Sequence, residues 1–283
     1  MILVIGGTGT VGSLVVRELQ ARNVQVKVLT RDPAKVLPKG VTRVVGDLLE
    51  PGTIRSVFQG VDAVYMANPS GPSEAHEGLN AIVGAKAAGV KRFVYQSVFG
   101  ADDAGVPIIA SKAIIEASLK ASGMRHVVLR PNNFDQNDVW YREPLMQYAI
   151  YPQPLGNVGV ARVDIRDIAE AGAIALTSLE ANCQVYNIVG PQNLTAADVA
   201  AIWSKVLRRP ITPAKESLDD WEAATGKFMP PRVAYDLRLL FDLFHKSGFK
   251  ASPADISRQT QLLGHAPRDF TSFAEECVLA WKT

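Results

Sequence analysis

Gly6, Gly9 and Gly12 recur every third residue in the run Gly6-Gly7-Thr8-Gly9-Thr10-Val11-Gly12, directly behind the apolar stretch Ile2 to Ile5. A turn of this kind presents backbone N–H groups and a helix N-terminus with no side chains in the way, which is what a pyrophosphate requires. The run also sits between a strand-like segment and the helix-spaced apolar residues Val11, Leu14, Val15 and Leu19, the context that gives a glycine motif its meaning. Gly6, Thr8, Gly9, Thr10, Val11 and Gly12 are therefore the expected contacts to the phosphates of a dinucleotide.

Such a loop needs a sheet behind it. Ile2–Ile5, Val24–Leu29, Val41–Val45, Ala63–Met66, Arg92–Gln96 and His126–Leu129 read as buried strands, rich in Val, Ile, Tyr and Phe. Helix-spaced apolar faces lie between them, at Leu79, Ile82, Val83 and Ala87 and at Ile114, Ile115, Leu119 and Met124. Strand and helix in alternation predict an α/β fold, a doubly wound parallel sheet with helices on both faces. Asp32-Pro33 is expected to cap a short helix, Ser252-Pro253 another, and Thr195 to Asp198 forms an imperfect capping box. Residues 131–156 read as a long loop with one short helix. Val158–Val163 and Val185–Val189 read as strands around a helix from Asp164 to Ser178. From Gly190 onward the pattern is mostly helical. The expected division is a dinucleotide-binding domain of residues 1–131 with 157–190, and a smaller, mostly helical substrate domain of residues 132–156 with 191–283, with a cleft between them.

Composition narrows the function classes. The 283 residues are 47% hydrophobic and 20% charged, a globular composition. Thirty Lys and Arg against 28 Asp and Glu give +2, too near neutral for a nucleic-acid or anionic-membrane binder. No apolar run reaches the roughly 20 residues of a membrane span. The first residues show no basic leader and no cleavage site, so the expected location is cytoplasmic. Cys183 and Cys277 provide neither a disulfide framework nor a metal cluster and read as buried or inert thiols. No metal is expected.

The spacing G-x-x-G-x-x-G resembles the short-chain dehydrogenase/reductase superfamily. Val28-Leu29-Thr30-Arg31-Asp32-Pro33-Ala34-Lys35, Gly46-Asp47-Leu48, Phe93-Val94-Tyr95-Gln96-Ser97, Ser111-Lys112, Leu129-Arg130-Pro131-Asn132-Asn133-Phe134 and Leu263-Gly264-His265-Ala266-Pro267-Arg268 narrow it to the NmrA-like, atypical extended members. The resemblance spans nearly the whole chain. It implies a Rossmann fold binding NADP(H) or NAD(H), in a family that holds NADPH-dependent quinone and dye reductases as well as cofactor-binding regulators without turnover. It further implies that Asp47, with Leu48, meets the adenine edge; the competing reading of Asp47 is a cap for the turn at Gly46.

Position along the strands assigns the rest. Thr30 stands where an acidic residue would serve the ribose 2′-OH of NAD, and Arg31 and Lys35 follow it, suiting a 2′-phosphate. NADP(H) is therefore the expected preference, with NAD(H) the alternative, against a reading of both side chains as solvated surface charges. Ala67-Asn68-Pro69 should pass beneath the nicotinamide ribose or pyrophosphate, and Pro131-Asn132-Asn133 lie near the ring. Ordinary superfamily members carry Tyr-x-x-x-Lys, but Ile108 stands four residues before Lys112, so the usual proton donor is missing. Lys112 still suits the nicotinamide ribose hydroxyls, the competing reading being a surface lysine beside Glu116. Ser97, at a strand end, would orient substrate or the carboxamide, or have no such part.

Without an acid, hydride transfer suits acceptors that stabilise their own charge, such as quinones and cationic dyes. Phe99, Phe134, Trp140, Tyr141 and His245 are the candidates to line a pocket for them, packing being the rival role. The expected activity is NADPH-dependent reduction of a conjugated, aromatic small molecule. The alternatives are a redox-sensing regulator acting through a protein partner without direct nucleic-acid contact, and, more weakly, an isomerase or cyclase that uses the nucleotide as a redox helper. The substrate's identity and any homodimer are left open.

Overall fold

A computed structural model of the chain describes residues 1–102, 105–178, 183–214 and 217–282. In chain order the elements begin β1 (Ile2–Ile5), α1 (Thr10–Ala21), β2 (Val26–Thr30), β3 (Thr42–Val45), α2 (Pro51–Val57), β4 (Ala63–Met66), α3 (Glu74–Ala87), β5 (Arg92–Gln96), α4 (Pro107–Ala121) and β6 (Arg125–Pro131). A 3-10 segment (Asp135–Tyr141), a π turn (Pro144–Tyr148) and β7 (Ile150–Tyr151) lead to α5 (Ile165–Thr177) and β8 (Gln184–Ile188). The remainder holds α6 (Ala196–Leu207), β9 (Thr212–Pro213), α7 (Leu218–Thr225), α8 (Pro231–Lys246), α9 (Pro253–Leu263) and α10 (Phe270–Trp281).

These elements form two compact units, residues 1–131 with 165–187 and residues 132–164 with 188–283. The first contains a seven-stranded sheet in the order β3-β2-β1-β4-β5-β6-β8, and the pairs from β3 to β6 are all parallel. Strands β1 and β4 bury every side chain, as their unbroken apolar sequence requires of a sheet covered on both faces. On one face Leu3, Ile5, Val64, Met66, Phe93 and Tyr95 pack with Ala81, Ile82 and Ala85 of α3 and Ile115 and Leu119 of α4. Each fully buried large apolar side chain contributes about 1.5–3 kcal/mol. Helix α1 packs on α5. Buried Arg92 of β5 closes the C-terminal end of α5 by donating to the Ala175 carbonyl at 2.7 Å and to that of Ser178.

The chain runs outward from β1 to β2 and β3 on one side and from β4 to β5 and β6 on the other. The carboxyl ends of β1 and β4 thus flank the point where strand order reverses, the place where open α/β sheets bind ligands.

The second unit is mostly helical. Trp203 stacks on Trp281 with ring centroids 5.3 Å apart and meets Phe270 edge-on at 6.0 Å. Its α6 and α9 both start with complete capping boxes, Thr195 with Asp198 and Ser252 with Asp255.

Several local expectations differ from the structure. Val158–Val163 is not a strand. Val160 pairs with Leu194, Ala161 bonds to Phe249 and Val163 to Asn133, so each residue has a different partner segment and no ladder can grow. Those bonds also explain why residues 157–164 lie in the second unit rather than with the sheet. Asp32-Pro33 starts no helix, because the Asp32 carboxylate accepts the Ala34 N–H at 2.8 Å and closes a turn instead. The Pro-rich segment at 210–213 supplies β9, which pairs with β7. Cys277 is buried, and burial pushes its thiol up to about 12. Cys183, by contrast, is exposed.

Candidate functional site

The glycine run turns at the carboxyl end of β1. Gly6 has φ +81°, open to glycine at little cost, and its O accepts the Gly9 N–H at 2.9 Å. A Cβ on Gly6 would lie 2.0 Å from the Ala67 carbonyl oxygen, and one on Gly12 2.1 Å from the Gly6 oxygen. The Ala67 N–H bonds to the Ile5 carbonyl at 3.1 Å, so the loops leaving β1 and β4 are locked together. Gly9 is the extended N-cap of α1 and no side chain caps that helix. Its first-turn N–H groups, those of Thr10, Val11 and Gly12, have no acceptor within the helix.

At the end of β2, Thr30 is buried and its Oγ1 accepts the Asp32 N–H at 3.1 Å. Arg31 and Lys35 are exposed. The Lys35 carbonyl accepts from Arg43 Nη2 at 2.5 Å, which pins that loop to β3. Beyond β3, Asp47 Oδ1 accepts the Leu49 N–H at 2.9 Å, a turn-closing role, while Leu48 is buried and its carbonyl accepts from Asn80 at 2.7 Å.

A buried polar arrangement follows Ala67. Asn68 is buried and donates through Nδ2 to the Glu74 carbonyl at 2.9 Å, while its Oδ1 has no partner. Glu74 opens α3 with its side chain 1% exposed. One carboxylate oxygen accepts from Lys112 Nζ and the other from Ser111 Oγ, each at 2.6 Å. Lys112 is therefore not a surface lysine beside Glu116. Glu116 instead pairs with Arg130 at 2.7 Å, and Arg130 also grips Asp102. Glu74 carries no motif, and nothing in its local sequence marks it as more than an acid favoured by a helix start.

Lys112 Nζ lies 5.9 Å from the centroid of the Tyr95 ring. Tyr95 does not take over as the missing acid. Burial first, and then the charges of Glu74 and Glu116, push its phenol well above the usual range, and its hydroxyl is sealed in with no partner. The Ser97 Oγ is likewise buried and unpartnered at the end of β5.

Phe99 belongs to the first unit, where its N–H bonds to the Pro131 carbonyl at 2.9 Å. The other lining candidates belong to the second. Phe134 is half-buried there, and its carbonyl accepts from Arg162. Trp140 is 86% exposed. Tyr141 packs edge-on against Tyr151 at 6.0 Å. His245 Nε2 lies 3.1 Å from the Pro154 carbonyl and its ring fills the space over Gly156, a packing role. Asn132 spends its side chain on the Phe249 carbonyl and the Asn133 N–H, and Asn133 Oδ1 faces Gln153 at 3.4 Å, so both amides serve the unit's own structure.

Sequence reasoning missed a second buried cluster. Arg162, Asp135, Asp138, Tyr151 and Trp203 are all buried in the second unit, in and around a stretch that reads as loop.

The chain as a whole resembles known proteins. The chain is 35% identical over 291 residues to the NAD(P)H azoreductase of Xenophilus azovorans, covering 99% of each protein. It is 26% identical over 271 residues to quinone oxidoreductase 2 of Escherichia coli, covering 94% of each. The NADPH complex of an E. coli NADPH-dependent quinone oxidoreductase superposes with a TM-score of 0.90 at 24% identity, over 98% of this chain and 100% of that one. Citrobacter sp. triphenylmethane reductase with NADP(H) gives 0.86 at 22% identity, over 99% and 100%. These solved structures share the fold. The pattern of the NmrA-like family matches residues 1–274, and the chain belongs to that family.

Proposed function

We propose that this protein is an NADPH-dependent reductase of conjugated aromatic small molecules, of the quinone, azo or cationic-dye kind. The observation that carries the reading is the glycine turn and uncapped start of α1 where strand order reverses, with a half-buried lysine on α4. The relatives named as azo, quinone and triphenylmethane reductases support it. NADPH, when bound, supplies the hydride. The chain's part is to hold it and to keep the acceptor in line.

In this reading the N–H groups of Thr10, Val11 and Gly12 receive the pyrophosphate, with Gly6, Thr8 and Gly9 shaping the loop. Arg31 and Lys35 take the 2′-phosphate, and Asp47 and Leu48 border the adenine. Ala67, Asn68 and Pro69 lie under the middle of the cofactor, Lys112 meets the nicotinamide ribose, and Ser97 offers its hydroxyl to carboxamide or substrate. Pro131, Asn132 and Asn133 contribute backbone rather than amide groups. Because Tyr95 is sealed and His245 is engaged, no proton donor is assigned. This suits quinones, whose reduced form is stable as an anion, and cationic dyes, whose reduced form is neutral without added protons; an azo acceptor would draw its protons from water. The reading takes the enzyme to act in the cytoplasm on a small molecule, without direct nucleic-acid contact. Among the described residues no helix is long and apolar enough to cross a membrane.

Purified protein should oxidise NADPH in the presence of a naphthoquinone, an azo dye or a triphenylmethane dye. Tight NADPH binding without turnover on any of them rejects the reductase reading in favour of a cofactor-sensing regulator. A second expectation concerns the glycine turn. Gly12→Val must push the Gly6 carbonyl aside, because its Cβ starts 2.1 Å from that oxygen. Calorimetry should show NADPH affinity reduced by two orders of magnitude or more, about 3 kcal/mol. Affinity within threefold of the parent would show that the loop is not the phosphate site.

A further inference from the structure

We infer that Glu74 is a positioning residue, whose buried carboxylate, steadied by Ser111, aims the Lys112 ammonium at the nicotinamide ribose. The inference rests on the proposed role of Lys112 and adds to it the group that makes the role work.

Lysine is a compact charge on a flexible four-carbon stem, and left to itself it samples many rotamers. Here the stem ends on a carboxylate 1% exposed, while the lysine side chain itself is 12% exposed and so still reaches the surface. Both Glu74 oxygens are taken, one by Lys112 Nζ and one by Ser111 Oγ, so the carboxylate cannot rotate without losing a bond. The start of α3 adds a favourable dipole for the negative charge. The backbone of Glu74 is fixed as well, because its carbonyl accepts from Asn68 in the loop that leaves β4. Glu74 therefore joins the β4 loop, α3 and α4 at one point beside the glycine turn. An ammonium has three N–H donors, and Glu74 takes one, leaving a pair that suits a vicinal diol.

A buried ion pair is weak grounds for stability, since an apolar pair of like volume often does as well. Positioning is the role that explains why a charge is kept here.

The test uses calorimetric Kd values for NADPH and for 2′,5′-ADP, which carries the adenosine and its 2′-phosphate but no nicotinamide ribose. Glu74→Gln should weaken NADPH binding about tenfold and leave 2′,5′-ADP unchanged. Lys112→Met should weaken NADPH at least as much, and Glu74→Gln added to Lys112→Met should have no further effect. Equal loss for both ligands in Glu74→Gln would show a merely structural cross-link and overturn the inference. If Lys112→Met weakens NADPH while Glu74→Gln does not, the inference falls and the role of Lys112 stands. If Lys112→Met leaves NADPH binding untouched, the assignment of Lys112 itself fails and takes the inference with it. Should Glu74→Gln not fold, Ser111→Ala carries the same test, with a smaller loss expected for NADPH alone; a loss shared by both ligands, or none, refutes it.

Discussion

Arg162→Met should lower the unfolding free energy by about 3–5 kcal/mol, read as an earlier transition in urea followed by tryptophan fluorescence. The side chains of Arg162, Asp135 and Asp138 are at most 1% exposed. The guanidinium donates to Asp138 Oδ1 at 2.7 Å, to the Tyr151 hydroxyl at 2.7 Å and to the Phe134 carbonyl at 2.9 Å. It also lies 4.6 Å from the Phe270 ring centroid. Burial opposes its charge, yet Asp138, Tyr151 and Asp135 together hold it above the ordinary arginine range. Asp138 in turn accepts the Trp203 indole N–H at 3.0 Å. Methionine fills the stem's volume but strands two carboxylates away from water, and that uncompensated charge is the cost. Arg162→Met combined with Asp138→Leu removes most of it and should recover more than half of the lost stability. A single-variant loss below about 1 kcal/mol, the range of an exposed pair, would contradict this account.

The same cluster shows where sequence reasoning stops. Strands β1 and β4 were legible because unbroken apolar runs of four residues have few other homes than a covered parallel sheet. The phosphate loop was legible because steric need leaves its mark as glycine. Arg162, Asp135 and Asp138 leave no such mark. Asp135 and Asp138 fall in a stretch of prolines and asparagines that reads as a long loop, and Arg162 in a strand-like run, so only tertiary packing reveals that they meet inside the second unit. Glu74 and Lys112 are 38 positions apart and meet because α3 and α4 lie side by side, a pairing no local pattern encodes. The Asp32-Pro33 expectation failed for a local reason, since an aspartate that can cap a helix can equally close a turn on the next N–H but one.

Arg31→Asp should reverse the choice of nucleotide. Three side chains at the end of β2 can discriminate, and the geometry disposes of two. Thr30 is buried, its hydroxyl spent on the Asp32 N–H, and Asp32 turns its carboxylate onto the Ala34 N–H. Arg31 remains, exposed and next in line, with Lys35 behind it. A guanidinium on a phosphate contributes about 1.5–3 kcal/mol as charge-assisted hydrogen bonds, so its loss alone should weaken NADPH binding about ten- to hundredfold. Aspartate adds repulsion toward the 2′-phosphate and offers an acceptor to the 2′-OH, so NADH binding should hold or improve. Calorimetric Kd values for the two nucleotides give the ratio directly. The parent protein should show a second signature: raising ionic strength should weaken NADPH more than NADH, because the contact is an exposed charge pair open to screening. An unchanged ratio in Arg31→Asp, together with equal salt dependence for both nucleotides in the parent, would place the 2′-phosphate away from β2.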